Sequence, residues 1–511
     1  MILGLWNLPL IISHIHCFLQ KIAPIRIYLH CMKIMITYPP LQGRGSPMLT
    51  QNRQFQWFNE PSYIYPMVPA SAATLLKKNG FDVLWKDCIA ERFSYEQFLK
   101  YIKKELPDVI AIETKTPVIK QHWKIIDDIK SKIDNVVIVL MGDHVTALPE
   151  ESMKNCKVDY VITGGNYDLV LLSIVRHLRD KDLLAGGVWY KEAKEIKNSG
   201  EFQFKDDLDS LPFVDRDLTK AGLYGEKWKK RTPFFYTMAG RDCWWGKCSF
   251  CSWTTLYPEF KLRSAENLLN EISTLIEKYG AREIFDDTGT FPTENWLNEF
   301  CEGIISRGYN KKILFSCNMR FGSIDKNTAI LMKKAGFRKL KMGLESANQK
   351  TLDKLSKGTN VNDIVENCKM LSKAKLDIHL TVMVGYPWES REDITNTLKF
   401  ARELMNKGYV EMLQATTVVP YPGTHLFEMA RENKWFRFNP ENYDKYDMGE
   451  PVLKTPGISP QEIKKMCSEL YKSFWSPRFI LKQFMKIRSV EDVKYISKGV
   501  KAVWGHIKDF R

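Results

Sequence analysis

The chain has 511 residues, too many for one compact domain and enough for roughly three at about 150 residues each. Hydrophobic residues make up 44% and charged residues 26%, with a mean hydropathy of −0.30, which excludes a disordered, collagen-like or polytopic membrane chain. Lys and Arg number 75 against 60 Asp and Glu, a formal charge of +15, so nucleic acid, anionic lipid and phosphorylated compounds all stay open as partners.

From Met1 to Gln20 there is no charged side chain. A cleavable signal needs a basic start and a small-residue cleavage site, and both are missing. Asn7, Pro9, His14 and His16 interrupt the apolar run that a spanning helix needs. The fold is therefore expected to begin near Met32. Residues 1–31 form a leader of no assigned function, either an over-extended start or a membrane-contacting segment.

Residues 32–180 alternate strand and helix signals. A first strand ends at Pro39-Pro40, and a helix over 70–78 is closed by Asn79-Gly80. A strand over 81–85, a helix over 95–104, a strand over 108–112 and a helix over 122–133 follow. Apolar strands over 136–141 and 159–163 complete the unit, the last ending at Gly164-Gly165. Such runs predict a doubly wound parallel sheet covered on both faces, with ligands beyond the carboxyl ends of its strands.

Residues 181–231 read as a hairpin over 186–201, turning at Asn198-Ser199-Gly200, and an acidic linker over 206–217. A second α/β unit spans 232–430, with strands over 234–237, 283–287, 313–317, 339–344, 379–384 and 411–419. Six repeats fall short of the eight that close a barrel, so an open (β/α)6 partial barrel is expected. Residues 431–511 become irregular, then helical and basic, forming a carboxyl-terminal cap.

The sharpest chemical feature is Cys243, Cys248 and Cys251, three thiols within nine positions directly after the first strand of that second unit. Eleven cysteines in all are too sparse, and odd in number, for a secreted disulfide scaffold, which favours a reduced intracellular setting. Three thiolates can hold three irons of a four-iron, four-sulfur cubane and leave the fourth iron open to a ligand. A zinc site is the other reading. It wants a fourth ligand nearby, and Cys301 and Cys317 are distant in sequence.

A three-cysteine loop after the first strand of a partial barrel, with Phe250 just before the last cysteine, resembles the radical S-adenosylmethionine (SAM) superfamily. The usual spacing there is three residues then two; here it is four then two, with Trp244-Trp245-Gly246-Lys247 as the spacer and Gly246 able to turn the longer loop. Further motifs follow in family order: Arg263-Ser264 before a helix, Asp286-Asp287, Ser316-Cys317-Asn318, Gly343-Leu344-Glu345-Ser346, Gly385-Tyr386-Pro387 and Pro420-Tyr421-Pro422-Gly423. The resemblance implies a 4Fe-4S cluster on the three cysteines and SAM on the strand ends. Phe250, just before the last cysteine, is implied as a SAM contact. Asp287 is implied for the SAM amino group, Asn318 for its carboxylate, Glu345 and Ser346 for the ribose or amino acid, and Gly385 for close adenine packing.

The amino-terminal unit is similar to the cobalamin-binding domain fused to many radical SAM enzymes. Gly142, His144, Thr146 and Pro149-Glu150-Glu151 fit its motif, with Thr114, Thr116, Gly164 and Gly165 where the nucleotide tail of cobalamin is usually held. The Asp-x-His-x-x-Gly cobalt-ligand motif of other cobalamin proteins is absent, so His144 reads equally as a loop histidine bonding its neighbours.

Asn59-Glu60-Pro61 and Leu211-Pro212 with Arg216-Asp217-Leu218 look like the branch of anaerobic magnesium-protoporphyrin ester cyclases and hopanoid-modifying radical enzymes. The resemblance implies SAM cleavage and radical modification of an unactivated carbon on a small or lipid-like substrate. Methyl transfer stands slightly ahead of cyclisation or rearrangement on a tetrapyrrole or lipid. A reducing partner such as ferredoxin or flavodoxin and a cytoplasmic site are expected, and nucleic acid ranks low.

The basic tail from Phe474, with nine Lys or Arg against three acids, keeps peripheral membrane contact open beside a solvated cap. Two other classes stay open from the cysteines alone: an electron-transfer iron–sulfur protein and a zinc-stabilised binding protein.

Overall fold

The computed structural model describes residues 32–50, 53–204, 207–485 and 487–510, without the side chain of Arg478. The leader expected over 1–31 lies outside the described residues. β1 (Lys33–Tyr38) leads into a short antiparallel ribbon of β2 (Ser46–Pro47) and β3 (Trp57–Phe58). β4 (Asp82–Asp87), β5 (Val109–Thr114), β6 (Val137–Gly142) and β7 (Tyr160–Ile162) follow, then the hairpin of β8 (Val188–Glu192) and β9 (Glu195–Asn198). Their order in the sheet is β4-β1-β5-β6-β7-β8-β9.

β4, β1, β5, β6 and β7 pair in parallel, and β8 runs antiparallel to β7. The sheet thus extends to Asn198, past the boundary expected at 180, because the hairpin covers the edge that β7 would otherwise expose. That hairpin turns at Ala193 and Lys194, with φ of 47° and 76°, and not at Asn198-Ser199-Gly200 as expected. Two consecutive left-handed residues match the twist of the paired strands, so pairing outweighs local residue preference here. Ser199 instead closes the outer strand by donating 2.6 Å to the Ala185 carbonyl.

The continuous apolar runs of β5 and β6 have a direct cause: helices cover both faces. Helix Met67–Lys78 packs against helix Tyr167–Asp180, while helix Tyr95–Glu105 is started by a reciprocal Ser94–Gln97 cap.

The second sheet contains β10 (Phe234–Thr237), β13 (Glu283–Asp286), β14 (Leu314–Met319), β15 (Phe337–Glu345), β16 (Asp377–Val384) and β17 (Met412–Thr417). They lie in that order, all parallel, as an open partial barrel. A ribbon of β11 (Gly240–Arg241) and β12 (Lys261–Leu262) brackets the cysteine loop.

The barrel interior is unusually polar. Alternation along β15 places Lys339, Lys341, Gly343 and Glu345 on one face. Buried Lys339 reaches Glu226 at 3.1 Å. At the opposite end from the cysteines, helix Val490–Asp509 crosses the amino ends of the strands. Glu491 pairs with Arg282 at 2.8 Å, and Arg338 stands 5.7 Å above the Tyr495 ring.

Candidate active site

The β11–β12 ribbon delivers Cys243, Cys248 and Cys251 to the carboxyl end of the second sheet, where they line one wall of a cavity of about 220 Å³. The loop is held by backbone partners from several other loops. Trp244 Nε1 donates to the Phe291 carbonyl at 3.2 Å, and Trp245 Nε1 to the Ser356 carbonyl at 2.9 Å. Ser249 N donates to Leu355, and its own carbonyl accepts from Leu426 N. Gly246 takes the left-handed turn at φ 58°, and a Cβ at Gly358 would fall 2.2 Å from the Trp245 ring. The longer spacer is therefore accommodated by one glycine that turns and another that makes room.

Electrostatics suit an anionic group at these sulfurs. Burial pushes the Cys248 thiol up, against the pull of Lys357 and Arg320. Burial and the adjacent Cys248 raise Cys251 well above the ordinary thiol range. Three thiolates in one wall need compensating charge, and Lys357 and Arg320 line the same cavity. Three sulfur donors beside an open space fit a four-iron cluster that keeps one iron for a ligand. Cys301 and Cys317, the distant candidates for a fourth zinc ligand, are fully buried and do not line the cavity.

Glu345 ends β15 at φ 60°, an uncommon backbone for a residue with a side chain, and accepts 2.7 Å from Lys357 Nζ. Gly343 makes that pair fit, since a Cβ there would lie 2.1 Å from Glu345 Oε1.

The expected SAM residues divide. Phe250, Asn318 and Glu345 line the cavity with the three cysteines, Asn318 donating its amide to the Thr288 carbonyl at 2.8 Å. Asp287, Ser346 and Gly385 are not among the residues that line it. Asp287 is buried and ion-paired with Arg53; burial pushes its carboxyl up to about 6 in spite of that cation. Ser346 donates to Glu389 at 2.6 Å and accepts from Asn348 N, a loop-closing role. Gly385 turns at φ 92° beside Ile463 and Thr455.

Sequence reasoning missed several lining residues: Arg53, Gln54, Arg320, Lys341, Lys357 and Gln414. The alternating Lys-x-Lys-x-Gly-x-Glu of β15 was a readable sign of a polar barrel interior. Arg53 had no such sign, because a loop of the amino-terminal unit carries it across to the barrel.

At the carboxyl edge of the first sheet, Gly142 is held at φ 138°, and a Cβ there would fall 2.0 Å from the Thr114 carbonyl oxygen. Thr114 Oγ1 bonds His122 Nδ1 at 2.7 Å. Fully buried His144 engages both ring nitrogens, Nδ1 with Thr116 at 3.3 Å and Nε2 with Glu151 at 3.1 Å, so neither is offered to a metal in this arrangement.

Gly164 donates to Thr146 Oγ1, and Gly165 packs against the Tyr257 ring. Buried His122 Nε2 and Tyr167 Oη have no hydrogen-bond partner here. Orphaned polar atoms and a glycine-lined edge fit the polar tail of a cobalamin. The Tyr443 ring, 4.7 Å from His144, covers that edge.

Comparison with known proteins agrees with both halves of this geometry. The radical SAM superfamily model matches residues 239–401, and the B12 binding domain model matches residues 61–170. An uncharacterized methyltransferase of Pyrococcus horikoshii is 28% identical, over 89% of this chain and 95% of its own length. The anaerobic magnesium-protoporphyrin IX monomethyl ester cyclase of Cereibacter sphaeroides is 24% identical over 78% of this chain, which spans 65% of that enzyme.

Among solved structures, the cobalamin-dependent SAM radical enzyme OxsB superposes with a TM-score of 0.67 at 14% identity, covering 93% of this chain and 71% of its own. The radical SAM methyltransferase TsrM of Kitasatospora setae does so at 0.65 and 12%, covering 94% and 99%. These likenesses concern the fold. The two matched domains imply a 4Fe-4S cluster, SAM and cobalamin as cofactors. The chain therefore joins a B12 binding domain to a radical SAM domain, the make-up of a cobalamin-binding radical SAM enzyme.

Proposed function

We propose that this enzyme transfers a methyl group to an unactivated carbon of a small or lipid-like substrate held in the cavity beside Cys243, Cys248 and Cys251. When bound, the cluster and SAM supply a deoxyadenosyl radical, and cobalamin supplies a methyl carrier. The protein's own part is positioning and exclusion of water. Cys243, Cys248 and Cys251 hold the cluster, with Lys357 and Arg320 offsetting its negative charge. Asn318 and Glu345 orient SAM from the strand ends. Thr114, Thr116, Gly142, His144, Gly164 and Gly165 form the edge that receives the cobalamin tail.

In this reading residues 32–180 and the hairpin after them serve cobalamin, 232–430 the radical step, and 431–511 the cap. Met319 and Met383 add apolar surface to the cavity, which suits a substrate with unactivated carbon. A ferredoxin or flavodoxin serves as reductant, in the cytoplasm.

The observation that carries the reading is three cysteines lining one cavity that is also walled by Arg53 from the amino-terminal unit. Methyl transfer is placed ahead of cyclisation because the relative matched over nearly its whole length bears a methyltransferase name, while the Cereibacter cyclase is longer than this chain covers.

The test is anaerobic reconstitution followed by measurement of iron, sulfide, cobalamin, deoxyadenosine and S-adenosylhomocysteine. Methyl transfer predicts deoxyadenosine and S-adenosylhomocysteine together on supplying substrate extracts. Deoxyadenosine alone points to cyclisation or rearrangement. Iron-loaded protein that forms no deoxyadenosine under reducing conditions overturns the reading.

A further inference from the structure

Nine of the fourteen exposed large apolar side chains among the described residues fall between Trp475 and Trp504. Surface apolar residues are ordinarily scattered, so this concentration asks for a partner. Helix Pro477–Met485 exposes Leu481, Phe484 and Met485, and helix Val490–Asp509 exposes Val490, Val493 and Trp504. The ring of Trp475, in the turn just before the first of these helices, lies 5.8 Å from that of Trp504 on the second, which brings the start of one helix against the other.

Charge on this surface is lopsided. The acids of helix Val490–Asp509 are consumed by the body of the protein: Glu491 by Arg282 at 2.8 Å, Asp492 by Lys230 at 2.5 Å, and Asp509 by Asn59. Lys494, Lys498, Lys501 and Lys508 are exposed and have no acidic partner among the described residues. At 3.6 residues per turn these four lysines fall within about 80° of one another, directly beside the stripe of Val490, Val493, Val500 and Trp504. An apolar stripe bordered by unpaired lysines, ending in tryptophans, has the character of a helix lying in a lipid interface. No described helix is long and apolar enough to cross a membrane.

We propose that this face seats the enzyme on a bilayer containing anionic lipid. A second copy of the same face would bring like charges together. The chain's own residues 1–20 carry no charge to meet the lysines. Anionic headgroups supply both the missing negative charge and an apolar layer below it. The surface covers the amino ends of the barrel strands, opposite the cysteines, so it anchors the enzyme and is not the mouth of the cavity. It is independent of which carbon is modified.

The test is flotation of the full chain with vesicles of pure phosphatidylcholine and of phosphatidylcholine with phosphatidylglycerol, at low and high salt. Binding is expected to the phosphatidylglycerol vesicles only, weakening with salt. Replacing Lys494, Lys498 and Lys501 by Gln should lower partitioning about fivefold for each charge removed. Leu481→Ser with Phe484→Ser should abolish it, while circular dichroism and deoxyadenosine formation stay at the parent level.

Equal binding to neutral vesicles, no binding, or binding that survives both sets of substitutions overturns the proposal. So does a concentration-dependent dimer that the Leu481 and Phe484 changes dissolve without any vesicle binding in the parent. Retention of the parent by RNA in place of vesicles overturns it as well.

Discussion

Arg241 grips Asp168 with two nitrogens, Nη1 at 2.8 Å and Nη2 at 2.6 Å, both side chains being buried. This joins the strand that precedes Cys243 to a helix of the B12 binding domain, so the cysteine loop is positioned by the cobalamin half of the molecule. Asp168 is further held by Ser71, which donates at 2.7 Å.

Removing one partner of a buried ion pair leaves an uncompensated charge. Asp168→Ala is expected to cost about 3–5 kcal/mol of stability. Arg241→Met together with Asp168→Leu should cost less than either single change. Chemical denaturation of the four proteins checks this, and iron content per chain should fall with the single variants first.

Glu389 gives a pH signature away from the cluster. Burial pushes its carboxyl up to about 7, against hydrogen bonds donated by Ser346 and Thr351. The folded state therefore holds a proton that the unfolded chain releases near 4.5. This contribution is fully present below about 4.5 and is lost as pH rises through about 7. Glu389→Gln keeps the accepting oxygen and should flatten the stability profile over that window in thermal melts.

Gly142 should tolerate no side chain. Gly142→Ala puts a methyl group against the Thr114 carbonyl at a φ that L-residues rarely adopt. The expected result is loss of cobalamin, read by visible absorbance after desalting, with iron loading retained. Gly80→Ala, also at positive φ but with nothing within 4 Å, is the matched control and should keep its cobalamin at a cost of about 1 kcal/mol.

Lys357→Met removes a cation beside Cys248 and leaves Glu345 buried without its 2.7 Å partner. Stability should fall by about 1.5–3 kcal/mol, and the cluster should become harder to reduce. A potentiometric titration followed by electron paramagnetic resonance checks the second point. Lys357→Arg should recover part of both.

Replacing Cys243, Cys248 and Cys251 by Ala should abolish iron binding and deoxyadenosine formation while cobalamin binding stays largely intact. A triple variant that still cleaves SAM would refute the ligand assignment.

Much of this protein was readable before any fold was known, because the readable features are local. Strand and helix order follow from short-range periodicity, and the cysteine spacing with the six motifs that follow it in order carries the resemblance to the radical SAM barrel and its cofactors. The turn at Ala193-Lys194 was not readable, because pairing geometry and not residue preference chose it.

The cavity wall was only half readable. Asp287, Ser346 and Gly385 carry the expected motifs yet are not among the residues that line it. Arg53 carries none and lines it. A motif records which residues stand at a strand end. Which of them reaches the cavity depends on partners brought from far along the chain: Arg53 covering Asp287, Glu389 drawing in Ser346, and Asp168 fixing Arg241. Burial makes those choices. A charged group taken from water must find its counter-charge, and only the packed structure determines where that counter-charge lies.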